Sequence, residues 1–294
     1  MPVARRALSP TDRLAAIAVS HAATAPTESL DHYQALRMRN PRRASATWWL
    51  LEDAGAPVAS LVCYPLEFAV EGAIVPGHGL GAVATHPDAR KRGFATELCR
   101  QAIAGAEAEG RSIGLLYSAI PPAFYERLGY RVAPAWRPSC TTRLAELAAS
   151  GPHVAWTPLD PRREAATLAT LYERHHRGAH LHRDEAGFRR SVELNVRDTF
   201  FGLGQPLVGY VRLAVEDGWV EVVEDVVPEP DRAAALRTVA RLAVDLASKG
   251  VEGWFDPCPE VAGFFEDRGR ATTLPMLRGV ADVVGARFHG SDYF

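Results

Sequence analysis

LGAVATHPDARKRGFATELCRQAIAGAEAEGRSIGLLYSAIPPAFYERLGY, residues Leu80 to Tyr130, is the stretch around which the chain is organised. Leu80–Thr85 is short, apolar and bounded by glycines, the pattern of a buried strand. His86-Pro87 ends it, because proline has no N–H for a ladder. Past Arg90-Lys91-Arg92-Gly93 the period changes to that of a helix. Leu98, Cys99, Ala102, Ile103 and Ala106 share a stripe, with Glu97, Arg100, Gln101 and Glu107 largely away from it. Gly110 and Ser112 stop that helix. Ile113–Tyr117 reads as a second apolar strand, and Pro122–Leu128 as a short helix closed by Gly129.

The basic turn carries the chemistry. A helix that starts at a glycine leaves several N–H groups free, and its dipole favours negative charge there. Gly93 permits close approach of the backbone to an anion, and Ala95 is too small to block it. Arg90, Lys91 and Arg92 add three cations at the same point, so the turn reads as a pyrophosphate cradle. It is not a nucleotide P-loop, since neither Gly-x-x-x-x-Gly-Lys-Ser/Thr nor Gly-x-Gly-x-x-Gly occurs there.

Val83-x-Thr85-x-Pro87-x-x-Arg90-x-x-Gly93-x-Ala95 resembles the acetyl-CoA signature of the GNAT superfamily of N-acetyltransferases. Phe124-Tyr125-x-x-x-Gly129-Tyr130 is similar to that family's second signature, in the expected order and at the expected spacing. The resemblance implies acetyl-CoA as cosubstrate. It places the pantetheine along Val83, Ala84 and Thr85 and the pyrophosphate at Arg90, Lys91, Arg92, Gly93, Phe94, Ala95 and Thr96. It also implies direct attack on the thioester by a primary amine, small-molecule or peptide, in a ternary complex. An N–H of the Val83 strand would face the acetyl oxygen, and Tyr125 would protonate the departing thiolate. A phenol, with a reference pKa near 10 against about 8.5 for a thiol, is an adequate donor at neutral pH. The base is left open among His78, His86, Glu52, Glu67 and a water relay, with His78 the named candidate. One of Trp48 and Trp49 is expected in the core and the other in an acceptor pocket. A Phe294 carboxylate folded back to the cleft is a further option.

With 294 residues, 47% hydrophobic and 23% charged, the chain has the composition of a globular protein with room for two domains. A net charge of −2 gives no general attraction to nucleic acid, and no apolar run has the length of a membrane span. Cys63, Cys99, Cys140 and Cys258 match no zinc or disulfide spacing and are expected as free thiols. The basic MPVARRALSP start is followed by no apolar segment, so a cytoplasmic protein is expected.

Along the chain, Val3–Leu8 reads as a strand, Ser9-Pro10-Thr11-Asp12 caps a helix to about Ala22, and Leu30–Arg39 forms another. Strands follow at Ala46–Leu51 and Pro57–Val70, and after Tyr130 two closing strands are expected at Val132-Ala133 and Thr141–Arg143. Past a linker or short helix at Leu144–Pro152 the pattern begins again. Leu159-Asp160-Pro161 answers Leu8-Ser9-Pro10. Glu224–Pro228 answers Val83–Pro87 (83 to 224, an offset of 141), ahead of a helix over Asp231–Lys249. Gly263-Phe264-Phe265-Glu266-Asp267-Arg268-Gly269 answers Ala123–Gly129 (123 to 263, an offset of 140). These pairings predict an α/β chain with mixed sheets, built as two tandem GNAT-like domains, 1–148 catalytic and 149–294 degenerate. In the second copy Asp231 and Ala234 replace Arg90 and Gly93, and Phe265 replaces Tyr125. Glu229 and Asp231 bring like charge where a phosphate would sit.

A catalytic first copy followed by a degenerate second resembles the two acetyltransferase-type regions of the enhanced-intracellular-survival proteins; their sterol-carrier-like domain is not expected here. Other readings stay open: a non-catalytic acyl-CoA sensor, which would not need Tyr125, and transfer of a longer acyl group. The acceptor and the oligomeric state are not legible in these residues.

Overall fold

A computed structural model describes residues 2–135, 137–176, 178–255, 258–266 and 273–281, together with 286, 288, 289 and 292. The chain forms two compact units, Met1–Ala133 with Thr273–Val284 and Phe294, and Pro134–Thr272 with Gly285–Tyr293. The first unit begins with β1 (Val3–Arg6), α1 (Pro10–Thr24), α2 (Leu30–Arg39), β2 (Thr47–Asp53), β3 (Ala56–Val70) and β4 (Ala73–Thr85). It continues through α3 (Phe94–Ala108), β5 (Ile113–Ser118), α4 (Ala123–Glu126) and β6 (Arg131–Val132). The second contains β7 (Ser139–Cys140), α5 (Leu144–Ala149), β8 (Trp156–Leu159), α6 (Ala165–His175), β9 (His180–Leu181) and α7 (Glu185–Leu194). It goes on with β10 (Thr199–Leu203), β11 (Gly209–Glu216), β12 (Trp219–Val226), α8 (Glu229–Asp245), β13 (Gly250–Gly253) and α9 (Pro259–Ala262). The last strand, β14 (Leu274–Arg278), returns to the first unit.

Local chemistry accounts for the first unit's elements. Ser9 and Asp12 form a reciprocal capping box at the start of α1, with Asp12 N–H donating to Ser9 Oγ at 3.1 Å and Ser9 N–H to Asp12 Oδ2 at 3.2 Å. In β2 the period of two sends Trp48 and Leu50 into the core with Ala16 and Ile17 of α1, and Trp49 and Leu51 into the core with Leu98 and Ala102 of α3. Both tryptophans are therefore core residues, Trp48 4% and Trp49 8% exposed, and Trp49 also lines a small cavity with Arg6 and Thr47. The α3 stripe expected from sequence (Leu98, Cys99, Ala102, Ile103, Ala106) is buried throughout.

The first sheet has the order β1-β2-β3-β4-β5-β14-β6. β14 lies antiparallel between β5 and β6, with Met276 opposite both Leu116 and Val132, and Met276 and Leu277 are fully buried. The Ala133 N–H donates to Pro275 O at 2.9 Å, and Arg278 Nε donates to Leu128 O at 3.1 Å. The second sheet has the order β7-β13-β12-β11-β10-β8. The two copies have thus traded closing strands: β7, which follows the first copy, pairs with β13, and β14, which follows the second, pairs with β5. A division at 148/149 does not describe these units. Residues 141–143 form no strand, and α5 buries Leu144, Leu147 and Ala148 in the second core beside Leu236 and Val239. Prolines 134 and 138 lack the N–H that a continuous hairpin back to the first sheet would use.

Candidate active site

β4 and β5 are parallel and paired from Gly77–Ile113 to Leu80–Leu116, and no further. Both strands continue, β4 to Thr85 and β5 to Ser118, so they part at Leu80. On its other side β4 stays paired with β3 through Ala84–Ser60 and Thr85–Ala59. The register steps between Gly81–Val62 and Ala84–Ser60, which leaves Ala82 and Val83 facing Leu61 alone. This is a bulge, and Ala82 takes φ +49 to make it. Ala82 is exposed, and Val83 and Thr85 are half-buried, so the parted edge is open to a ligand's main-chain-like groups.

The cradle follows at once. Gly93 caps α3 at φ 82, ψ 1, and the first intrahelical bond runs from Glu97 N–H to Gly93 O at 3.1 Å. The N–H groups of Phe94, Ala95 and Thr96 precede it and have no helical acceptor. A Cβ placed on Gly93 would meet nothing within 4 Å, so there is open space in front of them. Free amides, a helix N-terminus and that space fit a pyrophosphate. The three cations differ. Arg90 Nη2 donates to Ala23 O in the last turn of α1 at 3.1 Å. Arg92 Nη2 pairs with Asp53 Oδ2 at 2.7 Å, and its guanidinium lies 4.6 Å from the Phe94 ring centroid. Lys91, at φ +62, is exposed and has no such partner among the described residues.

Tyr125 stands on α4, after Pro121-Pro122 at the carboxyl end of β5, the end where β4 and β5 have separated. It is 7% exposed, packed edge-on against Phe124 and Tyr130, and its hydroxyl has no hydrogen-bond partner among the described residues. Burial raises its pKa above 10, with Cys99 adding to the shift. Burial also pushes the Cys99 thiol up to about 12, which removes it as a nucleophile.

His78 does not fit the role of base. It is fully buried in the paired part of β4, with Nδ1 3.0 Å from Arg111 O and Nε2 3.2 Å from Tyr130 OH. The carbonyl requires Nδ1 to donate, so Nε2 accepts from the phenol. Burial lowers its pKa and keeps it neutral. Glu67 lies opposite Pro76, in the half of the β3–β4 ladder away from the bulge, and Glu52 is paired with Arg5 at 2.7 Å. His86 follows β4 directly and is half-buried. The Phe294 carboxylate lies outside the described residues. Sequence reading missed the Ala82 bulge and the ties from Asp53 and Ala23; a lone alanine and a residue at a hairpin end carry no pattern that marks them.

Residues 5–133 match the family model of the Acetyltransferase (GNAT) domain. The first unit is a GNAT domain. No curated protein sequence matches the chain. Among solved structures, a GCN5-related N-acetyltransferase from Kribbella flavida is similar at TM-score 0.71 and 19% identity, over 94% of this chain and 71% of that one. Eis1 from Mycobacterium abscessus is similar at 0.68 and 18% identity, over 95% and 73%. A tandem GNAT protein from the clavulanic acid biosynthesis pathway is similar at 0.54 and 17% identity, over 96% and 100%. At these identities the likeness is one of fold, two GNAT-like regions in one chain.

The second GNAT-like region keeps the frame and loses the cradle. β12 and β13 are parallel up to Val222–Gly253, and β12 then continues to Val226 without β13, still paired with β11. The register of β11 against β12 steps at Val223, the residue that answers Ala82 at the offset of 141. Here, however, Val222 to Val226 are all buried. The segment answering Asp88–Gly93 is 229–234, all of it inside α8, so helix replaces the loop. Phe265 stacks edge-on with Phe255 at 5.2 Å. The acidic residues of β12 are occupied within their own unit. Glu221 pairs with Arg137 at 3.4 Å, Asp225 with Arg232 at 3.1 Å, and the fully buried Glu224 with Arg183 and Tyr210.

Proposed function

We propose that the chain is an acetyl-CoA-dependent N-acetyltransferase, with one active site, in the first unit, and a primary amine as acceptor. One observation carries this reading: a strand that parts from its parallel neighbour at a bulge leads directly into a helix N-terminus with free amides. Acetyl-CoA, when bound, supplies the activated acetyl group as a thioester. The amides of Phe94, Ala95 and Thr96 hold the diphosphate, with Lys91 as the exposed cation beside them. The open edge of Val83, Ala84 and Thr85 pairs with the pantetheine amides. A bulge N–H near Val83 faces the acyl oxygen as it gains charge.

Tyr125 supplies the proton for the departing thiolate. Its raised pKa keeps it protonated at neutral pH, and its unpartnered hydroxyl is free to donate. With His78 sealed in the core and Glu52 tied to Arg5, the amine loses its proton to water at the cleft or to His86, half-buried at the end of β4. A peptide or small-molecule amine fits this scheme equally. Release of free thiol from acetyl-CoA across a panel of amines, with mass spectrometry of each amine, tests the reading. Thiol release matched by acetylated amine is the expected result. Tight acetyl-CoA binding with no thiol release for any amine would overturn it in favour of an acyl-CoA sensor.

A further inference from the structure

The basic turn contains more cations than it offers to a ligand. Arg92 has its outer nitrogen on Asp53 at 2.7 Å and its face on the Phe94 ring at 4.6 Å. Arg90 crosses to α1 and donates to Ala23 O at 3.1 Å, at the helix end where the dipole favours a cation. Between and after these two residues the backbone takes left-handed conformations, φ +62 at Lys91 and φ +82 at Gly93. Lys91 is not a glycine, and such a conformation persists in it only where the surroundings impose it. The two tethers bracket Lys91, one on each side.

Resting on the reading of this turn as the diphosphate cradle, we propose that Arg90 and Arg92 are positioning residues that clamp its backbone, and that Asp53 is the anchor through which Arg92 acts. The diphosphate is held by the amides of 94–96 and by Lys91, and the two guanidiniums stay on their protein partners. Asp53, on β2 and 39 residues before Arg92, then belongs to cofactor binding although it is acidic and the ligand is an anion.

The sign of one substitution decides the matter. If Arg92 were a phosphate ligand restrained by Asp53, then Asp53→Asn would free a cation, remove a negative charge and tighten CoA binding. If Asp53 anchors a clamp, Asp53→Asn loosens the turn and weakens binding. Calorimetric titration of the full chain with CoA is to be run for wild type, Asp53→Asn, Arg92→Gln and their double variant, and for Lys91→Gln, at several salt concentrations. The expected result is binding about threefold to fivefold weaker in both single variants, the range one partly exposed ion pair can carry, and no further loss in the double. The dependence of affinity on salt stays that of wild type in Arg92→Gln and becomes shallower in Lys91→Gln, which removes a charge that meets phosphate. Tighter binding in Asp53→Asn, or a shallower salt dependence in Arg92→Gln, would overturn the proposal and make Arg92 a direct ligand. A wild-type chain that binds no CoA would overturn the cradle itself, and the clamp with it.

Discussion

At Tyr125, burial keeps the hydroxyl protonated at the cost of acid strength. The low-dielectric surroundings disfavour the phenolate, so the hydroxyl keeps its proton wherever a CoA thiolate would want it. Tyr125→Phe is expected to lower kcat by roughly 10²-fold, the lower end of a general-acid contribution, with little change in acetyl-CoA affinity. Steady-state kinetics beside calorimetry separates the two, and unchanged turnover would assign the proton to water. Because the phenol's pKa lies above its usual value of about 10, Tyr125 should produce no alkaline fall in kcat below that pH. An alkaline limb centred near pH 8–9 that disappears in Tyr125→Phe would contradict its placement. Gly93 is constrained differently. A side chain there meets open space, so the objection to Gly93→Val is its backbone at φ +82 and the bulk it puts before the amides. CoA binding should be lost while the melting temperature stays within a few degrees of wild type. A variant that still binds would place the diphosphate elsewhere.

Among the elements, the parted strands depend on a tie beneath them. His78 on β4 and Tyr130 just before β6 meet across Gly114 of β5, where a Cβ would stand 2.7 Å from Tyr130 Oη and 2.8 Å from His78 Nε2. Gly114→Ala should therefore push the pair apart and cost about 1–3 kcal/mol, the usual penalty for overpacking a core, read as a shift in denaturation midpoint. The same histidine gives a pH signature. Burial lowers the pKa of His78, and it lowers that of His176 in the second unit well below the ordinary value, with neighbouring His289 adding to the effect. The unfolded chain therefore binds protons near pH 6.5 that the folded chain refuses. Stability from these groups is full above that pH and falls as the pH drops below it. His78→Gln should flatten part of that acid slope, and a slope unchanged in the variant would mean that His78 titrates normally. Periodicity made the α3 stripe legible, and Ser9 with Asp12 marked the start of α1. The bulge was not legible, because nothing in Ala82 announces a left-handed residue. Nor was the fate of His78: a histidine flanking a motif strand reads the same whether it faces a cleft or a phenol.

For the molecule as a whole, the repeat was visible in two pairs of motifs, and the bulge at Val223 places the same offset in the backbone. Pairing partners were not visible, since β7 and β14 are short strands whose composition suits either sheet. No described helix is long and apolar enough to cross a membrane. The placement of β14 yields a sharp test. Met276 is fully buried beside Leu116, 180 residues past Thr96, the last residue of the cradle. Met276→Lys would bury an unpaired charge in the first sheet. It should abolish acetyl-CoA binding although the substitution lies beyond the second copy's Phe265. Full binding by that variant, or by a fragment ending at Ser150, would show that the first unit does not need β14.

That placement also sets a timetable for synthesis. Translation reaches Ala133 with β1 to β6 already made, yet the gap between β5 and β6 stays open until Arg278 has been added. At the usual 5–20 residues per second, the remaining stretch of about 145 residues takes on the order of ten seconds. Through that interval the nascent chain carries an unpaired edge on β5, the kind of surface that chaperones bind and that aggregation exploits. A premature stop codon late in the message, far from any residue that touches cofactor, would leave that edge open for good.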